Sequence, residues 1–182
     1  MPYTPLDKFP PTLHAKAAGI RLACFDVDGT LTDGRLYYDH AGNESKAYYV
    51  QDGLGLKLLQ QHGIHPVLIT ARNSLSAQKR GADLGIDTQI AVGDKLASVR
   101  ALCEQQGIGL DQVAFLGDDL PDLAPLSAVG LAVAPADAHP WIAERVHWQT
   151  ASKGGRGAAR ELCDVLLAAQ GKLDAVLARY SA

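Results

Sequence analysis

The sequence predicts an α/β fold with a mainly parallel, Rossmann-like sheet and helices on both faces, and three observations point to it. Short apolar runs alternate with helix-length segments along most of the chain, the pattern of βαβ units. The first run, Leu22–Phe25, is apolar throughout, as a strand buried on both faces must be. Several of the runs end in polar, turn-forming residues, and the carboxyl ends of parallel strands open onto the crevice where such folds take ligands.

Taken in order, residues 1–19 read as an N-terminal arm. Pro2, Pro5, Pro10 and Pro11 prevent a regular start, and a short helix near 13–18 leads into the first strand. Two β-prone runs, 35–38 and 46–50, flank Asp39, Gly42 and Asn43, so a β-hairpin is expected as a flap over 34–50. Its four tyrosines, Tyr37, Tyr38, Tyr48 and Tyr49, are too much apolar surface for a freely solvated flap, which suggests that it packs on a neighbouring subunit. A helix over 52–63 follows, opened by Asp and closed by Gly. Strands are expected at 65–70, 88–92, 112–116, 130–134 and 146–148. Helices are expected at 74–84, within 93–106, after Asp119 and after Pro140. The linker-like stretch 150–157 precedes one last helix, 158 to about 180.

At 182 residues the chain is long enough for one domain, 1–182, with a single core. A net charge of −3 argues against nucleic acid as the main partner, so any anionic ligand must be met by local cations. Cys24, Cys103 and Cys163 are odd in number and set among apolar residues, which excludes a disulfide framework and reads as buried thiols in a reducing compartment. No segment has a signal-peptide core or approaches the roughly 18 apolar residues of a membrane span, so the expected location is the cytoplasm. His14, His40, His62, His65, His139 and His147 show no metal-ligand spacing, and Trp141 and Trp148 read as core or interface aromatics.

Four strand ends carry polar groups: Asp26 and Asp28 after the first run, Thr70 and Arg72, the loop Gly93-Asp94-Lys95, and Gly117-Asp118-Asp119 with Asp122. In a parallel sheet these ends share one edge, so distant segments converge on one pocket. Each piece resembles a motif of the haloacid dehalogenase superfamily of phosphohydrolases: DVDGT the first, the Thr closing LIT the second, Lys95 the third and GDDLPD the fourth. The resemblance implies phosphoryl transfer to a carboxylate nucleophile, Asp26, because an aspartyl-phosphate splits hydrolysis into two displacements. It implies Mg²⁺ held by the Asp26 carboxylate, the Asp28 backbone carbonyl and the Asp118 carboxylate. Asp28 would act as general acid and then base. Thr70 would bind the phosphoryl group and Lys95 would neutralise its charge. Asp119 and Asp122 would steady the metal's ligands and the fourth loop.

With only a hairpin and one helix between the first two motifs, the chain resembles a member without a cap domain. Over residues 20–176, the strings LITAR, VGDK, GDDLPD, AVAPADAHP and GGRGAARELCDVLLAAQGKLDA resemble the 3-deoxy-D-manno-octulosonate 8-phosphate phosphatase family. That family works in lipopolysaccharide precursor synthesis and forms homotetramers whose hairpins build a shared barrel. A sugar acid with a carboxylate and a phosphate needs cations around it. Tyr49, Lys57, Arg72 and Arg80, with Asp28 and Lys95, match the family's substrate positions. The segment 154–157 is either a linker or, as in that family, a flap over an adjacent site. Thr30 departs from the aliphatic residue common there. Two alternatives stay open: a phosphatase for a related nonulosonate 9-phosphate, and a non-catalytic binding or regulatory subunit with the same fold.

Overall fold

The computed structural model describes residues 4–181, so the first three residues of the arm and residue 182 lie outside the described residues. In chain order the strands are β1 (Leu22–Phe25), β2 (Tyr37–Tyr38), β3 (Glu44–Ser45), β4 (His65–Ile69), β5 (Asp87–Gln89), β6 (Val113–Leu116), β7 (Leu131–Ala134) and β8 (Trp148–Gln149). The helices are α1 (His14–Gly19), α2 (Val50–Gln61), α3 (Leu75–Leu84), α4 (Lys95–Gln106), α5 (Leu123–Ala128), α6 (Pro140–Ala143), α7 (Ala158–Ala169) and α8 (Leu173–Tyr180). Six strands form one parallel sheet in the order β5-β4-β1-β6-β7-β8, and β2 and β3 form a separate antiparallel hairpin. The parallel sheet, the helices on both faces, and a hairpin and one helix in place of a cap domain between β1 and β4 are as the sequence predicts.

Strand geometry sorts the core into two layers, because successive side chains leave opposite faces. Ala23 and Phe25 of β1, Leu68 of β4 and Ala114 and Leu116 of β6 pack with α1, α2 and α7. Leu22 and Cys24, Val67 and Ile69, and Val113 and Phe115 pack with α4, α5 and α6 on the other face. The chain leaves β1 toward β4 and β5, then crosses back to β6 and continues to β7 and β8. Strand order therefore reverses between β1 and β6, and there the loops after the two strands part to leave a crevice.

Several boundaries differ from the sequence expectation for identifiable reasons. The arm is not loose: short 3₁₀ turns at Pro5–Lys8 and Pro11–Leu13 carry Phe9 into the core, edge-on to Trp148. The hairpin's second strand is Glu44–Ser45 rather than 46–50, since pairing stops where the Lys46 side chain turns inward, and α2 already starts at Val50. Its loop is held by Asp39, whose Oδ1 accepts the Ala41 and Asn43 N–H groups, while Gly42 supplies a positive φ of 82°. The strand expected at 88–92 ends at Gln89 because Ala91 is left-handed, with φ 55°. The single last helix is two, broken where Gly171 takes φ 65°. No described helix is long and apolar enough to cross a membrane, and Cys24, Cys103 and Cys163 are buried free thiols.

Candidate active site

A cleft of roughly 180 Å³ opens at the carboxyl ends of β1, β4 and β6. Asp26, Asp28, Thr70, Ala71, Arg72, Lys95, Asp118, Asp119, Pro121 and Asp122 line it. Asp26 follows directly on β1, its N–H bonded to the Leu116 carbonyl of β6, which fixes the two strand ends side by side. Gly29 makes the turn beyond it. Its φ is 94°, and a Cβ at this position would overlap the Asp118 carboxylate, so glycine is what lets the first and fourth loops close on each other.

Lys95, buried at the start of α4, is placed by the cap that the preceding Asp94 makes, whose Oδ1 accepts the Ala97 N–H at 2.9 Å. The Lys95 ammonium lies 2.5 Å from Asp26 Oδ1 and 2.6 Å from Asp122 Oδ1. The other oxygen of Asp122 accepts the backbone N–H groups of Asp118, at 3.0 Å, and Asp119, at 3.4 Å. Asp122 therefore has both oxygens committed to Lys95 and the fourth loop. Asp119 caps the following turn by accepting the Leu120 N–H. Asp118 Oδ1 accepts from the Thr30 hydroxyl at 3.3 Å, a bond an aliphatic residue at position 30 could not make.

Crowding three carboxylates beside one ammonium shifts their titration. Burial, the Asp122 charge and the Asp118 charge hold the Asp26 carboxyl well above the usual range, against the pull of Lys95. Asp118 is pushed up to about 7, by burial first and then by Asp122. Burial also raises Asp122, with Lys95 opposing. For Lys95 burial favours the neutral amine, but the Asp26 and Asp122 carboxylates outweigh it and raise its pKa. Oxygens of Asp26, Asp118 and Asp122 lie within 4.8 Å of one another. A surplus of hard anionic oxygens in a tight group suits a divalent cation such as Mg²⁺. With Asp122 fully engaged, Asp26 and Asp118 are the carboxylates left to hold it.

On the other wall Asp28 Oδ2 accepts from the Thr70 hydroxyl at 3.4 Å, and Thr70 Oγ1 in turn accepts the Arg72 N–H. Asp28 Oδ1 is 2.6 Å from the Lys46 ammonium. Arg72 donates to Glu44 Oε2 at 2.7 Å and to the Tyr38 hydroxyl at 3.2 Å. Not every residue expected at the substrate is in this cleft. Arg80 lies over the Tyr48 ring, 5.7 Å from its centre, and with Tyr49 lines a smaller pocket between the hairpin, α2 and α3. Lys57 lines neither pocket. The segment 154–157 packs on its own chain: Gly155 N–H donates to the Thr30 carbonyl and Gly154 N–H to Asp137. Glu44 and Lys46 were not among the expected residues. The available signal was two opposite charges two residues apart in the hairpin, which strand geometry puts on one face.

Comparison with known proteins agrees with this geometry. The haloacid dehalogenase-like hydrolase profile matches residues 90–162. The 3-deoxy-D-manno-octulosonate 8-phosphate phosphatase KdsC of Escherichia coli (strain K12) is 46% identical over 162 residues, covering 88% of this chain and 86% of the relative. The chain belongs to this phosphatase family of the haloacid dehalogenase-like hydrolases. A crystal structure of a hypothetical protein from Xanthomonas campestris superposes with a TM-score of 0.98 at 67% identity, covering both chains fully. The 3-deoxy-D-manno-octulosonate 8-phosphate phosphatase from Moraxella catarrhalis, solved with a magnesium ion, a phosphate ion and a KDO molecule, has a TM-score of 0.90 at 39% identity. That match covers 93% of this chain and 98% of the other. The two solved structures therefore share this chain's overall fold.

Proposed function

We propose that this chain is a Mg²⁺-dependent phosphomonoester hydrolase that removes phosphate from 3-deoxy-D-manno-octulosonate 8-phosphate through an aspartyl-phosphate on Asp26, in lipopolysaccharide precursor synthesis. The observation that carries the reading is the convergence of Asp26, Lys95 and Asp118 at the mouth of β1 and β6, in a chain 46% identical to the E. coli phosphatase. Asp26, the Asp28 carbonyl and Asp118 would hold the ion. When bound, Mg²⁺ supplies the charge neutralisation that lets a carboxylate approach a phosphate dianion.

The remaining work falls to the chain's own side chains. An Asp26 oxygen attacks phosphorus, the bond to the sugar oxygen breaks, and Asp28 gives that oxygen its proton. Asp28, now ionised, takes a proton from water as the water attacks phosphorus. The bond to Asp26 then breaks and inorganic phosphate leaves. Lys95 balances the charge that Asp26 shares with the phosphoryl group, and Thr70 offers that group a hydroxyl. Arg72 is the cation in the cleft suited to the substrate's carboxylate. Arg80, Tyr49 and Lys57 complete the reading as substrate contacts at the hairpin side, through rearrangement or a neighbouring subunit.

The same reading includes a homotetramer with hairpins over neighbouring sites, supported by Tyr37 and Tyr38, which are 49% and 59% exposed in the single chain. Three reduced, buried thiols favour the cytoplasm. The test is phosphate release from the eight-carbon and nine-carbon sugar-acid phosphates, with Mg²⁺ present and chelated. Preference for the eight-carbon ester with Mg²⁺ is expected. Preference for the nine-carbon ester would transfer the assignment to the nonulosonate phosphatase, and no release from either would leave a binding subunit.

A further inference from the structure

Lys46 does not line the cleft but lies directly behind one of its walls, against Asp28. Its side chain has no solvent exposure, yet its ammonium sits 2.6 Å from Asp28 Oδ1 and 3.3 Å from Glu44 Oε1. Both contacts are bent away from hydrogen-bond alignment, so charge holds them. A buried ammonium is tolerated only beside compensating charge, and the Glu44 carboxylate, 3.3 Å away, supplies it in both protonation states of Asp28. Glu44 is itself secured, its Oε1 accepting from the Ser74 hydroxyl and its Oε2 from Arg72 and the Tyr38 hydroxyl. Ser74 also caps α3 through the Ala77 N–H. Arg72 and Lys46 outweigh the effect of burial on Glu44 and keep its carboxyl below the usual range, so Glu44 is an anion in this network.

We propose that Lys46 is a positioning residue for Asp28. Anchored by Glu44, it fixes Asp28 Oδ1, which leaves Oδ2, beside the Thr70 hydroxyl, as the oxygen that carries the proton to the leaving group and takes one from water in the second step. Because Glu44 and Lys46 both come from the hairpin, Asp28 is set for proton transfer only while the hairpin is seated against the loop before α3. Lys46 does not line the cleft and so acts through Asp28 rather than on the substrate. The inference rests on the reading of Asp28 as general acid.

The test exploits leaving groups. The quotient kcat/KM reports only the steps up to expulsion of the alcohol. An aryl phosphate such as p-nitrophenyl phosphate leaves as a stable anion and needs no proton, whereas the sugar alkoxide does. With saturating Mg²⁺, Lys46→Met is expected to lower kcat/KM for the sugar-acid phosphate about 100-fold and for p-nitrophenyl phosphate by no more than about threefold. Lys46→Arg is expected to restore most of the loss, and Glu44→Gln to show the same selectivity more weakly. An equal fall on both substrates, or no fall on the sugar ester, would overturn the proposal. Asp28→Asn separates it from its foundation. If that variant is selective and Lys46→Met is not, the Lys46 role alone fails; if Asp28→Asn is not selective, the general-acid reading fails with it.

Discussion

At the scale of single residues, the site is a problem of excess negative charge, and Lys95 answers only part of it. Its ammonium is shared between Asp26 and Asp122, while burial first and then the Asp122 charge push the Asp118 carboxyl up to about 7. An unfolded aspartate titrates near 4, so between about pH 4 and pH 7 the folded metal-free chain binds more protons than the unfolded one. Stability therefore falls as pH rises through that window. We expect the melting temperature in chelator to drop on the order of 5 °C between pH 5 and pH 8, and Mg²⁺ to recover it at pH 8. A flat profile in chelator, followed by thermal unfolding monitored by circular dichroism, would contradict the charge excess. Asp26→Asn removes the nucleophile, and phosphate release is expected to fall on the order of 10⁴-fold or more. Activity near that of the parent would refute the assignment of Asp26.

Among the elements, α2 and α7 are joined by an unusual cap. Asp52 belongs to the first turn of α2, and its carboxylate accepts the Gly157 and Arg160 N–H groups at the start of α7. It is 1% exposed, and burial raises its carboxyl against the pull of those N–H groups. Asp52→Ala is expected to cost about 1–2 kcal/mol in urea unfolding, the value of a lost cap. Phe9→Ala should cost about 3 kcal/mol, because its ring fills space between the arm and Trp148. The sequence exposed Asp52 as a helix start, since its type and place are local signals. It hid the second helix that Asp52 caps, because that partner is more than a hundred residues away. The same contrast explains the other differences. Strands β1, β4, β6 and β7 were legible from their apolar runs, and α3 and α4 lie within the helical stretches expected at 74–84 and 93–106. The early end of β5 depends on the left-handed Ala91, a residue type that gives no warning of such a turn. Phe9 sits among prolines that suggested a free arm, and only the tertiary fold offers it a slot beside Trp148.

For the molecule as a whole, strand order turns scattered motifs into one cleft. Asp26, Thr70, Lys95 and Asp118 were readable because each follows an apolar run, and a parallel sheet brings such ends to one edge. Lys46 and Glu44 were not, because hairpin placement over the sheet is a long-range outcome. The hairpin leaves Tyr37 and Tyr38 exposed, as are Tyr49 and Val50 just beyond it, so the proposed assembly has a direct check. Sedimentation at micromolar concentration is expected to give a tetramer, and Tyr37→Ser with Tyr38→Ser to shift it toward smaller species. A monomeric parent chain would remove the assembly.

Where residues 154–155 meet the first loop, backbone touches backbone. A Cβ at Gly154 would run into the Gly29 carbonyl, and Gly155 holds φ 62° against Thr32. A side chain at either glycine would therefore push on the loop that follows Asp26. On the opposite rim the Arg72 guanidinium and the Tyr38 hydroxyl meet through side chains alone, so an exchange there leaves the backbone of the first loop in place.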